Sequence, residues 1–66
     1  MDKIAIRKNA EKIIKTMKKG YQYSLNKLQE LTTFGSTELC LAILVLIQEN
    51  KIEQYLSDNG VRYILC

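Results

Sequence analysis

An α+β fold of three helices, one short strand and a C-terminal β-hairpin is predicted for these 66 residues by three observations. Ile6, Ala10, Ile13 and Met17 recur at helical spacing, which lays one apolar stripe along a first helix. Ser24 and Ser36 stand as helix-capping residues ahead of two further apolar segments, with the turn-forming Thr32-Thr33-Phe34-Gly35 between those segments. After Lys51 the period changes from helical to alternating, and Asn59-Gly60 divides two stretches rich in β-branched and aromatic residues.

The first helix is expected from about Lys3 to Lys18, with Lys18 and Lys19 complementing its C-terminal dipole and Gly20 as its C-cap. Tyr21-Gln22-Tyr23 is too short and too aromatic to prolong it and reads as a brief strand. Ser24 then caps a short helix over Leu25 to Leu31, where Leu25, Leu28 and Leu31 share a face. Ser36 is expected to cap the third helix, with Glu38 in the first turn where the dipole favours an acid. Two helices joined by a tight glycine-containing turn make a helix-turn-helix arrangement.

Ile52-Glu53-Gln54-Tyr55-Leu56 and Val61-Arg62-Tyr63-Ile64-Leu65 form the hairpin. Asn59-Gly60 is the dipeptide that a type I′ turn prefers, because both of its central residues need positive φ. Such a loop sets Leu56 opposite Tyr63 and Gln54 opposite Leu65, and puts Ile52, Leu56, Val61, Tyr63 and Leu65 on the core face. Tyr55, Arg62 and Ile64 then look outward; a longer loop would change the register.

Helix, short strand, helix, turn, helix, hairpin is the order of a winged helix-turn-helix domain, here a single domain over residues 1–66. The chain also resembles a small prokaryotic family of winged helix-turn-helix domains of unknown function. The resemblance rests on Ile6-x-x-Asn9-Ala10, on Ser24-x-x-x-Leu28, and on Ala42-Ile43-x-x-Leu46-x-x-Glu49-x-Lys51-Ile52 running from the third helix into the wing. Where that family carries glycine and tryptophan in the third helix, this chain has Leu44 and Val45. The matching positions are packing positions, so the resemblance implies a fold more than an activity.

Several functions are disfavoured by composition. There is no histidine, and Cys40 and Cys66 are too few to fill a structural zinc shell alone. Cys40 is expected to be a small buried hydrophobe, and no Cys-x-x-Cys redox pair exists. The carboxylates Asp2, Glu11, Glu30, Glu38, Glu49, Glu53 and Asp58 are scattered, and Gly20, Gly35 and Gly60 form no phosphate loop. Neither an enzyme, a cofactor nor a small-molecule substrate is expected.

Leu39 to Ile47 is an unbroken apolar run of nine residues, well short of the roughly 20 needed to cross a bilayer. No membrane partner is expected, and the charged opening Asp2-Lys3…Arg7-Lys8 lacks the apolar core of a secretory signal, so a cytoplasmic location is expected. A helix apolar all round should be buried all round, and a chain this small has little with which to surround one.

The resemblance to winged-helix transcription regulators implies that DNA binding by the third helix should be tested first. Leu39, Ile43 and Leu46 take the inward positions, followed by Ile52 at the wing, which leaves Cys40, Leu41, Leu44 and Val45 outward. Base edges are read chiefly by arginine, lysine and side chains with amide or hydroxyl groups, so leucine and valine there argue against conventional readout. Net charge is +3. Lys8, Lys12, Lys15 and Lys19 form a basic stripe on the first helix, and Thr37, Gln48, Lys51 and Arg62 complete the candidate nucleic-acid contacts. These favour phosphate contact, hence weak and nonspecific DNA binding in a regulatory setting, as the alternative function.

The first expectation is a noncatalytic interaction module that binds a second copy of itself or another protein through Cys40, Leu41, Leu44 and Val45, joined by Tyr55 and Ile64 and with Phe34 as a further neighbour. Burying Leu41, Leu44 and Val45 contributes roughly 5 to 8 kcal/mol. Association costs an estimated 4 to 15 kcal/mol, so a stable homodimer must recruit those additional residues.

Overall fold

A computed structural model describes residues 2–66. It is an α+β fold with helices α1 (Lys3–Thr16), α2 (Leu25–Thr32) and α3 (Ser36–Gln48) and strands β1 (Gln22–Tyr23), β2 (Ile52–Ser57) and β3 (Gly60–Leu65). The strands form one antiparallel sheet in the order β1-β3-β2, a layout compatible with a winged helix. Among the described residues no single helix is long and apolar enough to cross a membrane.

The Asp2 side chain caps α1 by accepting from the Ala5 N–H at 2.7 Å. The helix then stops at Thr16, two residues before the expected end, because Met17 turns extended. Met17 is buried, and the Tyr23 hydroxyl accepts from the Lys18 N–H at 2.9 Å, satisfying a donor that further helix would have used. Gly20, at φ +85°, therefore caps no helix but turns the chain into β1.

Ser24 caps α2 as expected, accepting from the Lys27 N–H at 3.1 Å. Thr33 then takes a left-handed conformation, and the chain bends by 110° between α2 and α3. Buried Thr32 holds this turn, donating to the Leu28 carbonyl at 2.7 Å and accepting from the Phe34 N–H at 3.3 Å. Gly35, not Ser36, is the N-cap of α3, and Glu38 reaches back to accept from the Gly35 N–H at 3.2 Å. Ser36 enters the first turn instead, where its hydroxyl accepts from the Gln29 amide.

The far end of α3 closes in a Schellman arrangement. Asn50 is left-handed, its N–H bonds the Ile47 carbonyl, and the Lys51 N–H bonds the Leu46 carbonyl. The chain leaves this end directly into β2.

Ala10, Ile13 and Met17 of the first stripe pack with Leu28, Leu39, Ala42, Ile43, Leu46, Tyr23 and Ile52 into one core, with Ile6 half-buried at its border. The inward set of the third helix is thus as expected. The hairpin differs. Its loop is Asp58-Asn59 with Ser57 opposite Gly60, so Leu56 faces Val61 rather than Tyr63, and Gln54 faces Tyr63 rather than Leu65. Positive φ falls on Gly60 (+109°) and on neither loop residue, which excludes type I′. Ser57 closes the loop, its hydroxyl donating to the Gly60 carbonyl and accepting from the Asn59 N–H.

The shift keeps the same residues on each face of the hairpin, yet Leu56 is not in the core. Ile52 is buried at the base, whereas Leu56, four residues on, lies about 13 Å further along the strand. The helices do not reach that far, and Leu56 is 79% exposed.

Candidate functional site

The side of α3 that looks away from α1 meets the core-facing side of the hairpin in an open cleft of about 240 Å³, lined by Leu25, Cys40, Ile43, Leu44, Ile47, Gln54 and Tyr63. Each wall has a local cause. Positions 40, 44 and 47 fall on one helical face, and Gln54 and Tyr63 are direct cross-strand partners. None of the lining residues carries a formal charge at neutral pH. Burial raises the Tyr63 phenol above its ordinary pKa, with the Cys40 thiol as a lesser cause.

Leu44 stands out on the helical wall, 53% exposed at the middle of a helix whose other large residues are mostly covered. Leu56 extends the hairpin wall beyond the cleft on the same face as Gln54. Thr37 and Gln48 lie on the exposed face at the two ends of the α3 ridge that carries Leu44.

The residues expected to form one partner surface separate into three groups. Cys40 and Leu44 meet in the cleft, and Cys40 is exposed there, not the buried hydrophobe expected of it. Leu41 and Val45 are half-buried, and Val45 borders a groove with Lys3, Ile6 and Arg7, so α1 takes part of that face. Tyr55 and Ile64 are half-buried on the opposite face of the sheet from Gln54 and Tyr63 and do not join the cleft. Phe34 packs on the core and lies under Lys12, whose ammonium sits 5.3 Å from the ring centroid.

Leu25, Ile47, Gln54 and Tyr63 are cleft residues that sequence reasoning missed. For Leu25 and Ile47 the signal was present as apolar residues at the edges of their stripes, but only the 110° bend aims them at the hairpin.

The candidate cations are dispersed. Lys8, Lys12 and Lys15 are exposed on α1, while Lys19 falls beyond the end of that helix and outside its stripe. Lys15 and Lys51 share a groove with Arg7, but Glu11 lines it too. Arg7 and Glu49 form a two-pronged ion pair between the start of α1 and the end of α3, with Arg7 Nη1 donating to Glu49 Oε1 at 2.9 Å and Nη2 to Oε2. Lys51 lies 3.5 Å from the same carboxylate. Hydrogen bonding to Arg7 lowers the Glu49 pKa to about 2 against the cost of desolvation, with the charges of Arg7 and Lys51 adding to the shift. Arg62 Nη1 donates to the Val61 carbonyl at 2.9 Å.

Among the described residues no group of histidine, cysteine or carboxylate side chains is arranged to hold a metal ion. Comparison with families of known proteins, with curated proteins and with solved structures gives no match.

Proposed function

We propose that this chain is a winged helix-turn-helix domain acting noncatalytically as an interaction module in a regulatory, cytoplasmic setting, and that it self-associates through the cleft between α3 and the hairpin. The element order, the β1-β3-β2 sheet and the 110° bend between α2 and α3 support the fold assignment. The observation that carries the function is Leu44, half in water at the middle of α3 and at the edge of an uncharged, largely apolar cleft. Burying such surface is the main source of association free energy, and a cleft without cations offers a phosphate backbone no countercharge.

The test is the assembly state, measured by size-exclusion chromatography with light scattering, of the wild type and of Leu44→Lys. Because Leu44 is already solvated, lysine should fold there with unchanged helical circular dichroism. The expected result is a dimer for the wild type and a monomer for the variant. A wild type that stays monomeric at millimolar concentration, or a dimer indifferent to Leu44→Lys, overturns the reading.

The second reading is a small DNA-binding regulator that touches phosphates with α1 and the wing. Its support is the net charge of +3 together with the exposed Lys8, Lys12 and Lys15 on one helix. Against it stand the commitment of Arg7 to Glu49, the position of Lys12 over Phe34 and a wing whose strands carry only Arg62 as a cation.

A further inference from the structure

A second open cleft, of about 340 Å³, is lined by Thr16, Lys18, Tyr21, Tyr23, Lys27 and Leu31 and shares no residue with the cleft beside α3. The early end of α1 builds it. Met17 turns extended and Gly20 leads the chain into β1, which brings Tyr21 and Tyr23, two residues apart, into one cleft with Lys27 and Leu31, one turn apart on α2. Tyr21 is 61% exposed and Leu31 43%, so aromatic and aliphatic surface is left in water here. The Tyr23 hydroxyl accepts from the Lys18 N–H, which leaves its own proton to donate.

Charge in this part of the chain is one-sided. Residues 8–27 carry six lysines and a single acid, Glu11, whereas residues 28–66 carry Lys51 and Arg62 against five side-chain carboxylates. No carboxylate lines the cleft, and neither Lys18 nor Lys27 enters an ion pair among the described residues. Lys15, exposed just before Thr16, continues the positive surface from the cleft along α1. An aromatic ring open to water beside unpaired ammonium groups, with no acid among them, is complementary to an anion that carries a flat apolar body.

We infer that this cleft takes an unpaired base of single-stranded nucleic acid. The base stacks on Tyr21 beside Leu31, and the adjoining phosphates lie on the ammonium groups of Lys18 and Lys27. Double-stranded DNA does not fit, because its bases already stack on one another and offer Tyr21 no face without the cost of extruding one. Stacking and charge are common to every base, so no sequence preference is expected. The site therefore differs in place and in ligand from duplex contact through α1 and the wing, and it does not draw on self-association.

The experiment is fluorescence anisotropy of a short labelled oligo(dT) at low salt, with duplex DNA and a polyglutamate of equal charge as competitors. The wild type should bind oligo(dT) more tightly than either competitor. Tyr21→Ala should weaken binding about tenfold, within the range for one stacked base, and Tyr21→Phe should leave it near the wild type. Lys18→Gln/Lys27→Gln should lower the slope of log Kd against log salt by about 1.4, the value for two lost phosphate contacts on a single strand. All three side chains are exposed, so unchanged circular dichroism is expected of these variants. Absence of oligo(dT) binding at low salt, or binding indifferent to Tyr21→Ala, overturns the inference. So does a duplex or polyglutamate that competes as well as oligo(dT), since the cleft then attracts charge alone.

Discussion

Glu49 shows how far a single side chain's role depends on a partner distant in sequence. Its carboxyl, ordinarily near 4.5, is held at about 2 chiefly by the hydrogen bonds from Arg7. A carboxyl that ionises more readily in the folded chain stabilises the fold fully above its unfolded pKa and loses that contribution as pH falls through the folded one. The pair therefore supports the fold above about pH 4.5 and fades between there and about pH 2. Glu49→Gln should melt below the wild type at pH 7, and the gap in melting temperature should narrow steadily as pH falls from about 4.5 to about 2. A gap of the same size at pH 2 as at pH 7 would show that Glu49 acts through packing instead. Residues 7 and 49 belong to different elements, so nothing local in sequence announces the pair. The caps are the opposite case, since Ser24 needs only its own next three residues to act, and it was legible for that reason.

At the scale of elements, the hairpin is the instructive case. Both strands and their turn signal were legible, but Asn59-Gly60 is compatible with two loops: one with both residues central and positive in φ, one with glycine alone left-handed after the turn. The chain adopts the second, and Ser57 accounts for part of the choice, since its hydroxyl bridges the loop. Gly60→Ala should therefore cost about 1 to 2 kcal/mol, the usual penalty for a side chain in left-handed backbone. Asn59→Ala should cost less than about 0.5 kcal/mol, as at an ordinary surface position. Thermal melts of the two variants distinguish the loops, because a type I′ turn would penalise both. Helix ends show the same limit. The start of α3 moved by one residue because Glu38 satisfies the Gly35 N–H, a choice that capping preferences alone leave open between Gly35 and Ser36.

For the molecule as a whole, the balance is between a modest positive charge spread over α1 and an uncharged cleft at α3. Phosphate contacts weaken steeply with salt, whereas buried apolar contacts do not. A gel shift with random duplex DNA should accordingly show retardation at low salt at most, lost as salt is raised toward physiological strength, while the dimer persists. Retardation that survives physiological salt and falls on Lys8→Glu/Lys15→Glu would favour the DNA-binding reading instead.

Fold class, element order and the inward residues Leu39, Ile43, Leu46 and Ile52 were written in local pattern, because helical and strand periodicity act over a few neighbouring residues. The same pattern left Cys40, Leu41, Leu44 and Val45 outward as one set, and it placed Leu56 in the core. Assembly of the elements divided that set, since α1 borders Val45, the hairpin stands beside Cys40 and Leu44, and the helices end short of Leu56. Exposure at those positions is a property of how far one element extends past another, a distance set by packing between segments remote in sequence rather than by the residues at the site.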